Sequence, residues 1–260
     1  MPKFDLVLEP KLMNAAGILG FYPNPGSPIE LSLLGGFITN PISLLPRVPA
    51  RDSQLINYPG GFLLHTGLIN PGLRGVINEF ASKWNRSPIP VWAHIFFQDN
   101  NELQKMIAIL EEEPVISGLE LGLPPWIDSE NLRLIGDLSY EFPIILRISL
   151  DRVAMILPEL NDQLLDNINA ISFGPPRGAL PNNRGSITYG RLYGPGLFPY
   201  TLASLALTTS IGIPTIAACG VYTQQQVNLL IESGAIGIQL DSVLWRGTWP
   251  PIDSNFIAQE

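Results

Sequence analysis

Eight short apolar runs, each bounded by Gly, Pro or Asn and separated by stretches with helical spacing, constrain this chain more than any other feature. The runs lie near Leu12–Ala15, Gly36–Thr39, Val91–Ile95, Gly118–Leu121, Ile144–Ile148, Ala170–Phe173, Thr215–Ala218 and Gly237–Leu240. Several are apolar at successive positions, the pattern of parallel strands covered on both faces. Between them, Leu73–Trp84 repeats Leu73, Val76, Ile77 and Phe80, and Glu102–Leu110 repeats Leu103, Met106, Ile107 and Leu110. Helices are also expected over Ile29–Leu34, Ser129–Tyr140, Val153–Leu165, Leu197–Thr209 and Gln224–Ser233. Asp128 or Ser129 starts the second of these, Pro158 ends or kinks the third, and Thr223 and Gly234 bracket the last. Eight strands alternating with helices predict an α/β fold, a single (β/α)8 TIM barrel over 1–260 with a shortened C-terminal end. A doubly wound open sheet is the alternative, and the strand count weighs against it.

Composition narrows the partners. The 260 residues are 46% hydrophobic and 15% charged, which excludes a disordered chain. No apolar run reaches the roughly 20 residues that cross a bilayer, and Met1–Asp5 lacks the apolar core of a signal peptide. A lone cysteine, Cys219, fits a reducing, cytoplasmic setting. The net charge of −8, with no Lys/Arg cluster, argues against nucleic acid and leaves a small-molecule ligand. Sparse histidines and scattered carboxylates give no metal-ligand spacing. Past the eighth strand only Ser242–Glu260 remain, interrupted by Pro250 and Pro251, so a full closing helix is not expected. Barrel surface left bare there favours a homodimer.

In such barrels chemistry gathers at the C-terminal ends of the strands. There the chain reads Met13-Asn14-Ala15-Ala16-Gly17, then Thr39-Asn40, and later Gly67-Leu68-Ile69-Asn70-Pro71-Gly72. Further on come Gly194-Pro195-Gly196-Leu197-Phe198-Pro199, Cys219-Gly220-Val221 and Gln239-Leu240-Asp241-Ser242. In this order the segments resemble the dihydroorotate dehydrogenase family, flavin barrels, over about residues 5–246. The resemblance implies FMN and oxidation of dihydroorotate to orotate in pyrimidine biosynthesis. It implies cofactor contacts at Ala15, Ala16, Gly17, Asn40, Arg147, Gly194, Gly196, Cys219, Gly220, Asp241 and Ser242. It puts Leu64, His65, Asn70 and Ser172 on the substrate side.

The departures from that pattern are chemical. The family's proton-abstracting Cys or Ser, on the loop after the fourth barrel strand, aligns with Leu123, which has no acid–base chemistry. Asparagines that hold the pyrimidine align with Leu64, Glu120, Pro125 and Ser172, and Glu120 would repel an orotate-like anion. The second-strand lysine is Asn40, and the fifth-strand lysine is Arg147, which keeps the charge but not the donor geometry. At the phosphate loops Cys219 and Asp241 replace glycines. Asp241 either faces the phosphate and repels it or turns away. Ser242 keeps a hydroxyl.

Each candidate has two readings. His94 is a flavin contact or substitute base, or a hydrogen-bonded residue of the barrel mouth; His65 is a ligand contact or a loop residue. Glu120 is a base or pairs with Arg147. Cys219 is a reactive thiol or fills a former glycine space, and Gly194–Gly196 is an anion contact or a plain turn. Arg177 and Arg184 lie in a long 174–193 segment, a lid bringing positive charge or a solvated face. Trp92, Trp126, Trp245 and Trp249 read as packing. Two functions follow: an FMN-family oxidoreductase in which dihydroorotate oxidation is weak or lost, or a non-catalytic barrel that binds a small anion or serves in assembly.

Overall fold

The computed structural model describes residues 6, 8–112, 115–138, 141–247 and 249–250. Met1–Asp5, Tyr140 and residues 251–260, on which the leader, one helix end and the closing-helix expectations turned, lie outside them. In chain order the strands are β1 (Leu12–Asn14), β2 (Phe37–Ile38), β3 (Gln54–Tyr58), β4 (Gly61–His65), β5 (Val91–Phe96) and β6 (Gly118–Gly122). They continue with β7 (Ile144–Ser149), β8 (Ala170–Gly174), β9 (Arg177–Pro181), β10 (Ile187–Tyr193), β11 (Thr215–Ala218) and β12 (Gly237–Leu240). The α-helices are α1 (Leu73–Trp84), α2 (Asn100–Glu112), α3 (Ser129–Gly136), α4 (Val153–Ile156), α5 (Asp162–Asn167), α6 (Phe198–Ser210) and α7 (Gln224–Glu232).

Eight of the strands form one parallel sheet in the order β1-β12-β11-β8-β7-β6-β5-β2. A parallel bridge from Met13 to Gly36 brings its two ends together, so the sheet is a closed (β/α)8 barrel. The seam between β1 and β2 is stitched by a side chain. The Asn14 amide donates to Ile38 O at 2.6 Å, and its Oδ1 accepts from Ile38 N at 3.0 Å, supplying the pair of bonds a neighbouring backbone would supply.

The helices follow from their apolar spacing and their ends. In α1 the buried face is Leu73, Val76, Ile77, Phe80 and Trp84, each worth about 1.5–3 kcal/mol of burial. The α7 start is a full capping box: Thr223 accepts from Gln226 N while the Gln226 side chain accepts from Thr223 N. Pro158 divides the expected 153–165 helix into α4, a 3-10 turn at Leu157–Glu159, and α5. None of the helices is long and apolar enough to cross a membrane, among the described residues.

One part of the sequence reading needs correcting. The 60–72 and 174–193 segments, read as loops, contribute β4, β9 and β10, and with β3 they make a four-stranded antiparallel sheet in the order β3-β4-β10-β9. This sheet roofs the barrel mouth. Its central seam joins segments far apart in the chain, with Arg191 opposite Leu64 and Tyr193 opposite Phe62. The close fit of Gly194 against the β3–β4 turn requires glycine: a Cβ there would collide with Gly60 O, and its φ is 140°.

Candidate active site

The barrel interior carries a buried polar knot at its C-terminal layer. Parallel pairing sets His94 on β5 beside Glu120 on β6, and Arg147 on β7 beside Ser172 on β8, so these side chains converge inward. Glu120 is fully buried and accepts four hydrogen bonds. Its Oε2 receives His94 Nδ1 at 2.7 Å and Arg147 Nη1 at 3.0 Å. Its Oε1 receives Ser172 Oγ at 2.7 Å and Gln239 Nε2 at 2.6 Å. Burial works to raise the Glu120 pKa, but the Arg147 charge and the hydrogen bonds from His94 and Gln239 outweigh it, so Glu120 is ionised. For His94 the order reverses: burial lowers its pKa more than Glu120 raises it, and the imidazole is neutral at pH 7. Arg147 is buried, which lowers its pKa, and the Glu120 charge more than restores it.

Above this knot and beneath the roof lies a cavity of about 520 Å³. Its floor includes Ala16, Gly17, Asn40, His94, Gly122 and Arg147, and its roof includes Leu64, His65, Arg191 and Tyr193. Leu123 lines it too, with its N–H on Arg147 O at 3.1 Å. Four arginines line the cavity, Arg47, Arg147, Arg177 and Arg191, whereas none of the described lining residues is a carboxylate. That is a local excess of positive charge in a chain of net −8. Aromatic groups complete the walls: Phe96 with the Arg47 guanidinium 5.1 Å from its ring centroid, Trp126, and Tyr193 stacked on Phe62 and tilted against Trp245. Two consecutive residues of the wall, Gly67 and Leu68, hold φ of 85° and 57°, a conformation costly for leucine.

The phosphate-loop candidates fall elsewhere. Cys219, Gly220, Asp241 and Ser242 are buried and are not among the residues lining the cavity. The Asp241 side chain points at its own loops: its carboxylate accepts the Gly220 N–H at 3.4 Å and the Ser242 hydroxyl at 3.3 Å. Burial pushes the Asp241 pKa up to about 6, against those hydrogen bonds. Ser242 Oγ is also 2.7 Å from the Tyr222 hydroxyl. The Gly196 N–H donates to Gly60 O at 3.3 Å, so the Gly194–Gly196 segment packs on the roof turn. The Cys219 thiol is pushed well above its ordinary pKa by burial and by Asp241, which keeps it protonated at neutral pH. Its φ of 81° lies in the left-handed region that favours glycine.

The substrate-side candidates separate in the same way. Leu64 and His65 line the cavity. Ser172 lies below it on Glu120, and Asn70 serves as a loop clasp, donating to Ser43 Oγ and Leu68 O and accepting from Gly72 N. Ala15 is buried behind the floor, its N–H on Leu240 O. Sequence reasoning missed Arg47, Phe96, Arg191 and Tyr193. The alternation of Thr188, Gly190 and Leu192 with Tyr189, Arg191 and Tyr193 was the available strand signal. Among the described residues no group of three or more His, Cys, Asp or Glu side chains is placed to hold a metal.

A closed parallel barrel with its cavity at the C-terminal face, roofed by an antiparallel sheet, is a (β/α)8 architecture with a cavity where such barrels hold their sites. No family model matches the chain. It is 25% identical over 258 residues to the catalytic subunit of dihydroorotate dehydrogenase B (NAD(+)) of Geobacillus kaustophilus, covering 90% of this chain and 80% of that one. It is 24% identical over 276 residues to the same subunit of Maridesulfovibrio salexigens, covering 98% and 89%. Among solved structures, the DHODH of Eimeria tenella in complex with ferulenol shares the fold at a TM-score of 0.70 and 12% identity, over 91% of this chain and 77% of that one. Over most of its length the chain is thus similar, at low identity, to dihydroorotate dehydrogenases.

Proposed function

We propose that this barrel takes a small planar carboxylate into its arginine-lined mouth without FMN, and that flavin-dependent oxidation of dihydroorotate is not its reaction. The observation that carries the reading is Asp241. In the family resemblance, the phosphate of FMN rests on backbone N–H groups of the last two barrel loops. Here the Gly220 N–H faces a carboxylate of the protein's own, and the Gly196 N–H is taken by Gly60 O. An ionised Asp241 about 4 Å from a phosphate charge would be repelled by about 4 kcal/mol at an effective dielectric near 20. With a pKa of about 6 it would therefore protonate instead, a loss of about 1.4 kcal/mol or roughly tenfold in affinity at pH 7 that grows with pH. The residues present do not fit FMN at that end. Leu123 at the family's base position supports the loss of dihydroorotate oxidation.

What remains is suited to an anion. Arg47, Arg147, Arg177 and Arg191 supply charge and planar donors, while Phe96, Trp126 and Tyr193 supply flat apolar walls. A second reading, a flavin oxidoreductase with a different base, is favoured by Ala16, Gly17, Asn40 and Arg147, which line the cavity floor.

Titration of the purified full chain separates the two. We expect colourless protein whose tryptophan fluorescence, reporting Trp126 and Trp245 in the cavity wall, is quenched saturably by orotate without flavin. Arg191→Met should weaken that binding roughly 10- to 100-fold, the worth of one charge-assisted hydrogen bond. Yellow protein retaining stoichiometric FMN would refute the first reading and establish the second.

A further inference from the structure

We propose that His94 and Glu120 form a proton-transfer dyad, with His94 Nε2 as the base facing the cavity and an anion bearing a C–H bond next to a carbonyl as its substrate. The inference rests on the flavin-free reading above and gives that site a chemistry.

The tautomer follows from the hydrogen bonds. An ionised carboxylate only accepts, so at 2.7 Å from Glu120 Oε2 the His94 Nδ1 carries the proton. A neutral ring then leaves the Nε2 lone pair free. Among the described residues Nε2 has no hydrogen-bond partner, yet it is not one of the fully buried unpartnered atoms. It therefore opens on the cavity that His94 lines. Gly122 keeps that opening clear: a Cβ there would stand 2.9 Å from both Nε2 and Cε1 of His94.

The surroundings of the ring favour the charge that proton transfer creates. Imidazolium at His94 would sit on the Glu120 carboxylate, which stays ionised throughout. The titratable and charged groups acting on the ring are Glu120, Arg147 and Arg191. Glu120 supports the imidazolium, and the two arginines, which oppose it, are placed instead to stabilise negative charge on a substrate oxygen. In the step, Nε2 takes the proton from carbon, the C–H electron pair forms a C=C bond, and the carbonyl oxygen takes the negative charge as an enolate. The imidazolium returns a proton to carbon. No oxidant is required.

The chain has two histidines, His65 and His94, so a long-range ¹H–¹⁵N spectrum with His65→Asn for assignment reads His94 directly. We expect a neutral ring at pH 7 with the proton on Nδ1. A proton on Nε2, or a charged ring, would overturn the dyad. The catalytic readout is deuterium uptake at C5 of L-dihydroorotate in D₂O, followed by NMR without added flavin. Wild-type protein should accelerate it, and His94→Gln should remove at least about 100-fold of the acceleration. Gly122→Ala, which alters no charge, should slow exchange by crowding Nε2. Glu120→Gln should lower the His94 midpoint and move the pH profile of exchange downward; if that variant does not fold, the Gly122→Ala result decides. Exchange no faster than in buffer, or unchanged in His94→Gln, would overturn the proposal. Colourless protein that binds orotate but exchanges nothing would sink the dyad alone. Exchange that depends on His94 in a protein holding FMN would sink the flavin-free reading alone.

Discussion

Replacing Asp241 by asparagine tests the electrostatics of the phosphate loops through stability. Asp241 is 2% exposed, and burial lifts its pKa from 3.8 to about 6. A carboxyl raised on folding favours the folded state while protonated, at pH below about 4, and loses that contribution as pH rises through about 6. The difference of roughly 2 units, at 1.36 kcal/mol each, makes ionised Asp241 a handicap of about 3 kcal/mol at pH 7 and above. The carboxamide of Asp241→Asn retains an oxygen that accepts from Gly220 N and does not ionise. Urea unfolding of both proteins from pH 4 to pH 8 should therefore give a variant whose advantage grows with pH, from its value near pH 4 by up to about 3 kcal/mol. The pH effects of Glu120 and His94 are common to both proteins and cancel in the difference. A difference that is flat with pH, or that favours wild type increasingly above pH 6, would refute the assignment of Asp241 as a buried, charged residue.

Glu120→Gln should cost about 3–5 kcal/mol in urea unfolding, because Arg147 is left as an uncompensated buried charge. Adding Arg147→Met to that variant should restore part of the loss, and a simple sum of the single effects would deny the coupling. Thr223→Ala removes one arm of the α7 capping box and should cost about 1 kcal/mol, seen as a Tm lowered by roughly 2–4 °C. Gly194→Ala places a methyl against Gly60 O at a φ that alanine resists; a stability equal to wild type would contradict the packing of that turn on the roof.

The barrel is legible in the sequence because its strands are apolar at most successive positions and its helices repeat every three to four residues. Thr215–Ala218 and Gly237–Leu240 can be read to the residue from that pattern, as can Leu73–Trp84. The roof is not legible in the same way. Its strands are half-exposed, and β4 finds its partner β10 more than a hundred residues away, with Leu64 opposite Arg191. No local window holds both sides of that ladder. The site divides along the same line. His94, Glu120 and Arg147 stand at the ends of barrel strands, where topology says to look. Arg47 and Arg191 reach the cavity only once the roof is assembled. The direction of Asp241 depends on a carboxylate choosing a backbone N–H from another loop, a choice that burial and spacing settle in space and not along the chain.

The roof is woven and not hinged. Its two hairpins enter from different barrel loops and are joined by the β4–β10 ladder, so neither swings aside without tearing that ladder. A protease cut in the exposed 183–186 turn would leave both fragments hydrogen-bonded in place. His94 lies beneath that fabric, in a cavity whose roof is held by its own ladder.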